Sequence, residues 1–129
     1  MYKIEVHKLP AASKVVEDRK EYSAYNSQLG VSYAFAFDTY VDSGANNMTE
    51  FRIVYEARCD EGLGWAIKVE DDAGNVLYEN DGSNTTYQTF DSGWRTLTST
   101  RKLKVYVGAY SDGEVGETGY IRNVRIYVR

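Results

Sequence analysis

From Leu103 to Val128 the chain alternates apolar and polar positions with a period of two, the pattern of strands that bury one face. Leu103, Val105, Val107 and Ala109 share one face, and Lys104, Tyr106, Gly108 and Tyr110 share the other. After a Gly- and acid-rich loop, Val124, Ile126 and Val128 point in while Arg125, Tyr127 and Arg129 point out, so the last residues belong to a sheet. The same alternation recurs upstream. Val31, Tyr33, Phe35, Phe37, Thr39 and Val41 form one apolar face against the small residues Ser32, Ala34 and Ala36, as though something lies close over Ala34 and Ala36. Phe51, Ile53, Tyr55 and Ala57 face in, followed by a turn over Cys59 to Gly64, and then Trp65, Ile67 and Val69 face in.

Turn chemistry separates these segments. Asp71-Asp72-Ala73-Gly74-Asn75 carries the strongest hairpin signal, because Gly and Asn tolerate the positive φ of a tight reversal, and it predicts Val76 to Glu79 pairing back on Trp65 to Glu70. Asp42 to Glu50 and Asn80 to Asn84 read as loops, Thr85 to Phe90 as a strand, and Asp91-Ser92-Gly93 as a turn before a strand over Trp94 to Thr98. Tyr2, Ile4 and Val6 predict a first strand ended by Pro10. Lys14 to Tyr22 is charged and fits a helical turn, an edge strand or a loop. Short strands at such spacing predict an all-β fold, an antiparallel two-sheet jelly-roll β-sandwich. Its expected core holds Phe35, Phe37, Ile53, Tyr55, Ile67, Val69, Val105, Val107, Val124 and Ile126, with Trp65 and Trp94 also inside.

At 129 residues the chain fits one domain, residues 1–129. The net charge of -4 argues against nucleic acid as a partner, whose binders concentrate basic surface. No run of about 18 apolar residues exists to span a membrane, and MYKIEVHKLP interleaves polar residues where a secretory leader needs an apolar core. By that reading the chain carries no classical export signal, whereas a domain excised from a larger protein could be extracellular; its location stays open. Cys59 is alone, so no internal disulfide forms. His7 is the one histidine, and no spacing supplies it with metal or triad partners. The glycines do not lie between a strand and a helix as phosphate loops require. No enzyme is expected, and no catalytic residue is assigned.

From Phe51 onward the order of segments resembles the galactose-binding-like jelly roll shared by many carbohydrate-binding modules. The likeness rests on the hairpin Lys68 to Val76, the Trp-initiated segment Trp94-Arg95-Thr96-Leu97, the strand Leu103 to Val107 and the closing strand Gly119 to Ile126. Many members hold a structural calcium through an Asp near the place where this chain has Arg122 and Asn123, and an arginine repels a cation there, so that ligand set does not carry over. No cofactor is expected; the acidic tips Asp71-Asp72 and Glu79-Asn80-Asp81 offer oxygens to calcium, but hairpin tips are commonly acidic for solubility alone.

The resemblance implies a polysaccharide or oligosaccharide ligand. Tyr106 and Tyr110, roughly 13 Å apart on one outward face at about 3.3 Å per residue, together with Lys104, are the expected ligand-binding residues. Sugar rings stack their C–H faces on aromatic rings, and polar neighbours pair with the hydroxyls. The plainer expectation is that this face packs under residues 11–28 or against another subunit. An alternative function, as a capsid decoration or adhesion protein of a virus particle, would use Arg122, Arg125, Tyr127 and Arg129 to contact a structural protein, with the closing strand at a sheet edge.

Overall fold

The computed structural model describes residues 13–129. The segment Tyr2 to Val6, His7 and Pro10 therefore lie outside the described residues. In chain order the elements are β1 (Ser13–Asp18), β2 (Tyr22–Asn26), β3 (Gly30–Tyr40), the single helical turn α1 (Ser43–Asn46), β4 (Glu50–Cys59), β5 (Trp65–Asp71), β6 (Val76–Gly82), β7 (Gln88–Asp91), β8 (Arg95–Thr96), β9 (Lys102–Ser111) and β10 (Glu117–Val128). They form two antiparallel sheets. The six-stranded sheet runs β1-β10-β4-β7, with β2 also on β10 and β8 also on β4, and the four-stranded sheet runs β3-β9-β5-β6. This is a β-sandwich.

The core lies where the expected inward phases meet. Ile53, Tyr55, Ile67, Val69, Val105, Val107, Val124 and Ile126 are buried, and Trp65 is fully so. Trp65 packs against Phe90 with tilted rings at 4.7 Å between centroids and meets Tyr55 edge-on at 6.0 Å, and its indole N–H donates to Asn84 at 2.8 Å. The β5–β6 hairpin turns where expected. Gly74 takes φ 83°, and the Asp71 carboxylate accepts from the backbone N–H groups of Ala73 and Asn75 and from the Asn75 amide, all at 2.9 Å.

Four expectations are corrected, the first two at a backbone irregularity. In β3 the register against β9 shifts between Phe35 and Phe37. One extra residue, Ala36, turns the strand over. Phe37 stays against the core, but Phe35 is 57% exposed on the outer face, and Ala34 is exposed instead of covered. Trp94 is not in the core either; it is half-buried with the Arg129 guanidinium 4.1 Å above its ring. The strand expected over Trp94 to Thr98 shrinks to the two residues of β8, because only Glu50 and Phe51 are there to pair with it.

The closing strand is not an edge. β10 pairs with β4 on one side and with β1 and β2 on the other, and Arg129 continues the ladder by exchanging backbone bonds with Glu50. The charged segment after residue 12 supplies the edge instead, as β1 and β2.

Candidate functional site

The outer face of the four-stranded sheet gathers aromatic residues from two strands. Strand registry places Phe35, Tyr106, Lys68 and Glu79 in one row across β3, β9, β5 and β6, and Tyr33, Gly108, Ala66 and Asp81 in the next. Val31 and Tyr110 begin a third row. The middle row is lowered by its small residues. A side chain at Gly108 would stand 2.8 Å from Tyr33 Cδ1, so the absence of a Cβ lets the Tyr33 ring lie over β9.

Lys68 joins the rings. Its ammonium sits 4.6 Å from the Tyr33 centroid, 4.8 Å from the Tyr106 centroid and 3.0 Å from Glu70, while Phe35 meets Tyr106 edge-on at 5.7 Å. Cation–π contact at these distances holds both tyrosines in place. Burial, with the charges of Glu79 and Asp81 behind it, pushes the Tyr33 hydroxyl up to about 12, so it remains a neutral donor across the physiological range.

Of the residues expected from sequence, Tyr106 is half-buried in this group, and Tyr110 lies two rows further along the same face at 39% exposure. Lys104 follows on the same face, opposite Asp38 and Glu70. β1 and β2 pair with β10 in the other sheet, so residues 13–26 do not cover this face. Tyr33, Phe35 and Lys68, which share this face, are not among the residues expected from sequence. Their strands are distant in sequence from β9, and the bulge that turns Phe35 outward leaves no mark in the alternation.

Arg122, Arg125, Tyr127 and Arg129 lie together on the outer face of the opposite sheet, and that face is largely neutralised from within. Arg122 pairs with Glu56 at 3.1 Å, Arg129 with Glu50 at 3.0 Å, and Arg52, beside Tyr127, with Asp91. Arg125 sits in register with Glu17 and Val54. The Asn123 amide also donates to Glu56, and this bond, ahead of Arg122, holds that carboxyl below its ordinary range despite partial burial.

One buried acid shapes the end of the sandwich next to Tyr110. The Glu117 carboxylate is fully buried and accepts from the backbone N–H groups of Asp60, Glu61, Leu63, Gly64 and Thr118 at 2.8 to 3.4 Å. Burial alone would raise its pKa, but these donors together bring it below the ordinary carboxylate value. The β4–β5 loop is therefore wrapped around an anion. Burial and the neighbouring Glu117 push the Cys59 thiol up, which suppresses the thiolate a nucleophile needs. Among the described residues no three metal-ligating side chains cluster, and no helix is long and apolar enough to cross a membrane.

No protein-family model matches the chain. No curated protein sequence matches it. Solved structures do. A carbohydrate-binding module of family 4 aligns with 95% of this chain and 81% of its own at TM-score 0.50 and 12% identity. The agarase AgWH50C aligns with 98% of this chain and 24% of its own at TM-score 0.52 and 11% identity. A chain of infectious bursal disease virus, Gx strain, aligns with 91% of this chain and 30% of its own at TM-score 0.51 and 13% identity. The chain thus spans less than a third of the length of the last two. At such identities the likeness concerns the backbone alone. The chain has the jelly-roll β-sandwich fold found in carbohydrate-binding modules.

Proposed function

We propose that the protein is a non-enzymatic carbohydrate-binding module that lays a polysaccharide or oligosaccharide across the outer face of its four-stranded sheet. The observation that supports this reading is the group Tyr33, Phe35, Tyr106 and Lys68, gathered on a face that residues 13–26 leave open. Aromatic rings fixed by packing offer sugar C–H faces a large contact at little entropic cost. The Lys68 ammonium and the Tyr33 hydroxyl are donors for sugar hydroxyls within the same group, and Lys104 and Tyr110 extend the face along β9. Catalysis finds no comparable support there. The one thiol is buried and held protonated, and the acids of the sheet face are drawn into ion pairs or stand at its β6 edge.

Affinity electrophoresis against soluble glucans, xylans, mannans and galactans tests the reading. Retardation is expected on at least one of them, weakened about three- to tenfold in affinity by Tyr33→Ala or Tyr106→Ala. Arg52→Ala, on the opposite sheet, should leave it as it is. Free migration on every gel, or equal loss from Arg52→Ala, would overturn the assignment. The alternative, docking on a structural protein through Arg122, Arg125, Tyr127 and Arg129, draws little support from side chains already paired to Glu50 and Glu56.

A further inference from the structure

Beyond Tyr110 the sheet face opens into a cleft of about 290 Å³ between the β4–β5 and β6–β7 loops. Tyr110 and Val31 form one wall, Asp81 and Ser83 the other, and Gly64 and Gly82 lie between them. Neither of these glycines has positive φ, so turn geometry does not require them. Space does. A Cβ on Gly64 would come within 3.1 Å of Tyr110 Cβ, and one on Gly82 would stand 2.6 Å from the Trp65 indole that packs beneath. Side chains at these two positions would displace the aromatic wall or lift the floor.

Among the described residues the Asp81 carboxylate and the Ser83 hydroxyl make no hydrogen bond or ion pair, and both residues are exposed. The cleft is also rigid on its loop side. Leu63 and Gly64 donate to the buried Glu117 carboxylate at 2.8 and 3.4 Å, and Gly64 accepts from the Tyr110 N–H at 3.0 Å. A site whose wall is fixed before binding loses little entropy on filling.

The geometry points to a subsite for one monosaccharide ring, either a single-sugar branch or a chain end, stacked on Tyr110 with its hydroxyls on Asp81 and Ser83. This inference rests on the reading of the sheet face as a glycan site. The volume lies at the foot of the usual range for ligand pockets, roughly 300–1,000 Å³, which suits one ring and not a longer segment. An acceptor carboxylate and a hydroxyl facing an aromatic ring match the two sides of a sugar, polar at its rim and apolar on its face.

Isothermal titration calorimetry decides it, using linear gluco-, xylo-, manno- and galacto-oligosaccharides, counterparts carrying one single-sugar branch, and the linear polymers compared per mole of chain ends. A branch subsite predicts that a branched ligand binds on the order of tenfold more tightly than its linear counterpart, the worth of one more ring contact with its hydrogen bonds. A chain-end subsite predicts instead that oligomer and polymer bind equally per chain end. In Ser83→Trp, which fills the cleft, and in Asp81→Ala, which removes the acceptor, the branch preference should fall to about one, or chain-end binding should weaken by the same factor, with the thermal midpoint unchanged. Linear ligands that bind with neither a branch preference nor a chain-end dependence would overturn the subsite and leave the sheet-face reading standing. A preference that persists in both variants would likewise place it elsewhere. No binding of any ligand would overturn both.

Discussion

Replacing Glu117 with Gln tests how the end of the sandwich is held. In the folded protein Oε1 accepts from Asp60, Glu61 and Thr118 at 2.9, 3.0 and 2.9 Å, and Oε2 from Glu61, Leu63 and Gly64 at 3.1, 2.8 and 3.4 Å. An amide keeps one acceptor oxygen and puts an NH₂ group where the other stood. In either orientation backbone N–H donors then face a donor. Hydrogen bonds to a charged acceptor contribute about 1.5–3 kcal/mol each, and part of the loss returns as the loop relaxes toward water, so a net cost of about 3 kcal/mol is expected at pH 7. With a urea slope of about 1–3 kcal/mol/M, the midpoint should fall on the order of 1–3 M. The pH dependence carries a sign. Because the folded carboxyl titrates below its ordinary value of 4.5, the unfolded chain binds the proton first as pH falls. The stabilisation is complete above that range and drains away as pH drops through the folded value. The gap between wild type and Glu117→Gln should therefore narrow from pH 7 to pH 3.5. A cost below about 0.5 kcal/mol at pH 7, or a gap that does not narrow in acid, would refute the reasoning.

Four further predictions follow from the fold and the sheet face. Phe35→Ala should cost less than about 1 kcal/mol and Phe37→Ala roughly twice as much or more, since only the second packs on the core; equal costs in urea titrations would contradict the bulge. Val107→Ala should cost about 2 kcal/mol, whereas Val107→Asp, a carboxylate without a partner at a position 1% exposed, should yield no cooperatively folded protein by circular dichroism and heating. Removing Tyr127 to Arg129 should abolish cooperative unfolding, because it strips buried Val128 and the Arg129 backbone bonds from the interior of a sheet; a truncated protein with an unchanged midpoint would show that this end is dispensable. Gly108→Val should drive the Tyr33 ring off β9 and reduce polysaccharide retardation about as much as Tyr33→Ala does, and full retention would remove Tyr33 from the site.

Most of the strand framework is legible in the sequence, and the reason is burial. Where two sheets pack face to face, each strand must keep its apolar residues in one phase, so Leu103 to Ala109 and Val124 to Val128 announce themselves. Asp71 to Asn75 does so too, because a tight turn demands particular residues. The role of Glu117 was hidden: alternation carried back from Val128, Ile126 and Val124 turns Glu117 outward, and it is buried only because the register of β10 against β4 shifts between Arg122 and Arg125. Its partners are backbone groups of a loop more than fifty residues away, and pattern says nothing about backbone partners.

The aromatic face was harder to see for a reason that also explains how it forms. Tyr106, Tyr110 and Lys104 could be named because they lie on one strand. Tyr33, Phe35 and Lys68 join them only through registry between strands, which alternation does not encode. In β3 the apolar residues from Val31 to Val41 alternate without a break, yet the register shift at Ala36 splits them between two faces. If β3 ran without the extra residue, the inward phase of Phe37 would extend back to Phe35 and Tyr33, and Ser32 and Ala34 would stand beside Tyr106 instead. The aromatic group exists because one inserted residue turns half of an apolar strand outward, where its rings find Lys68 and Tyr106 instead of the core.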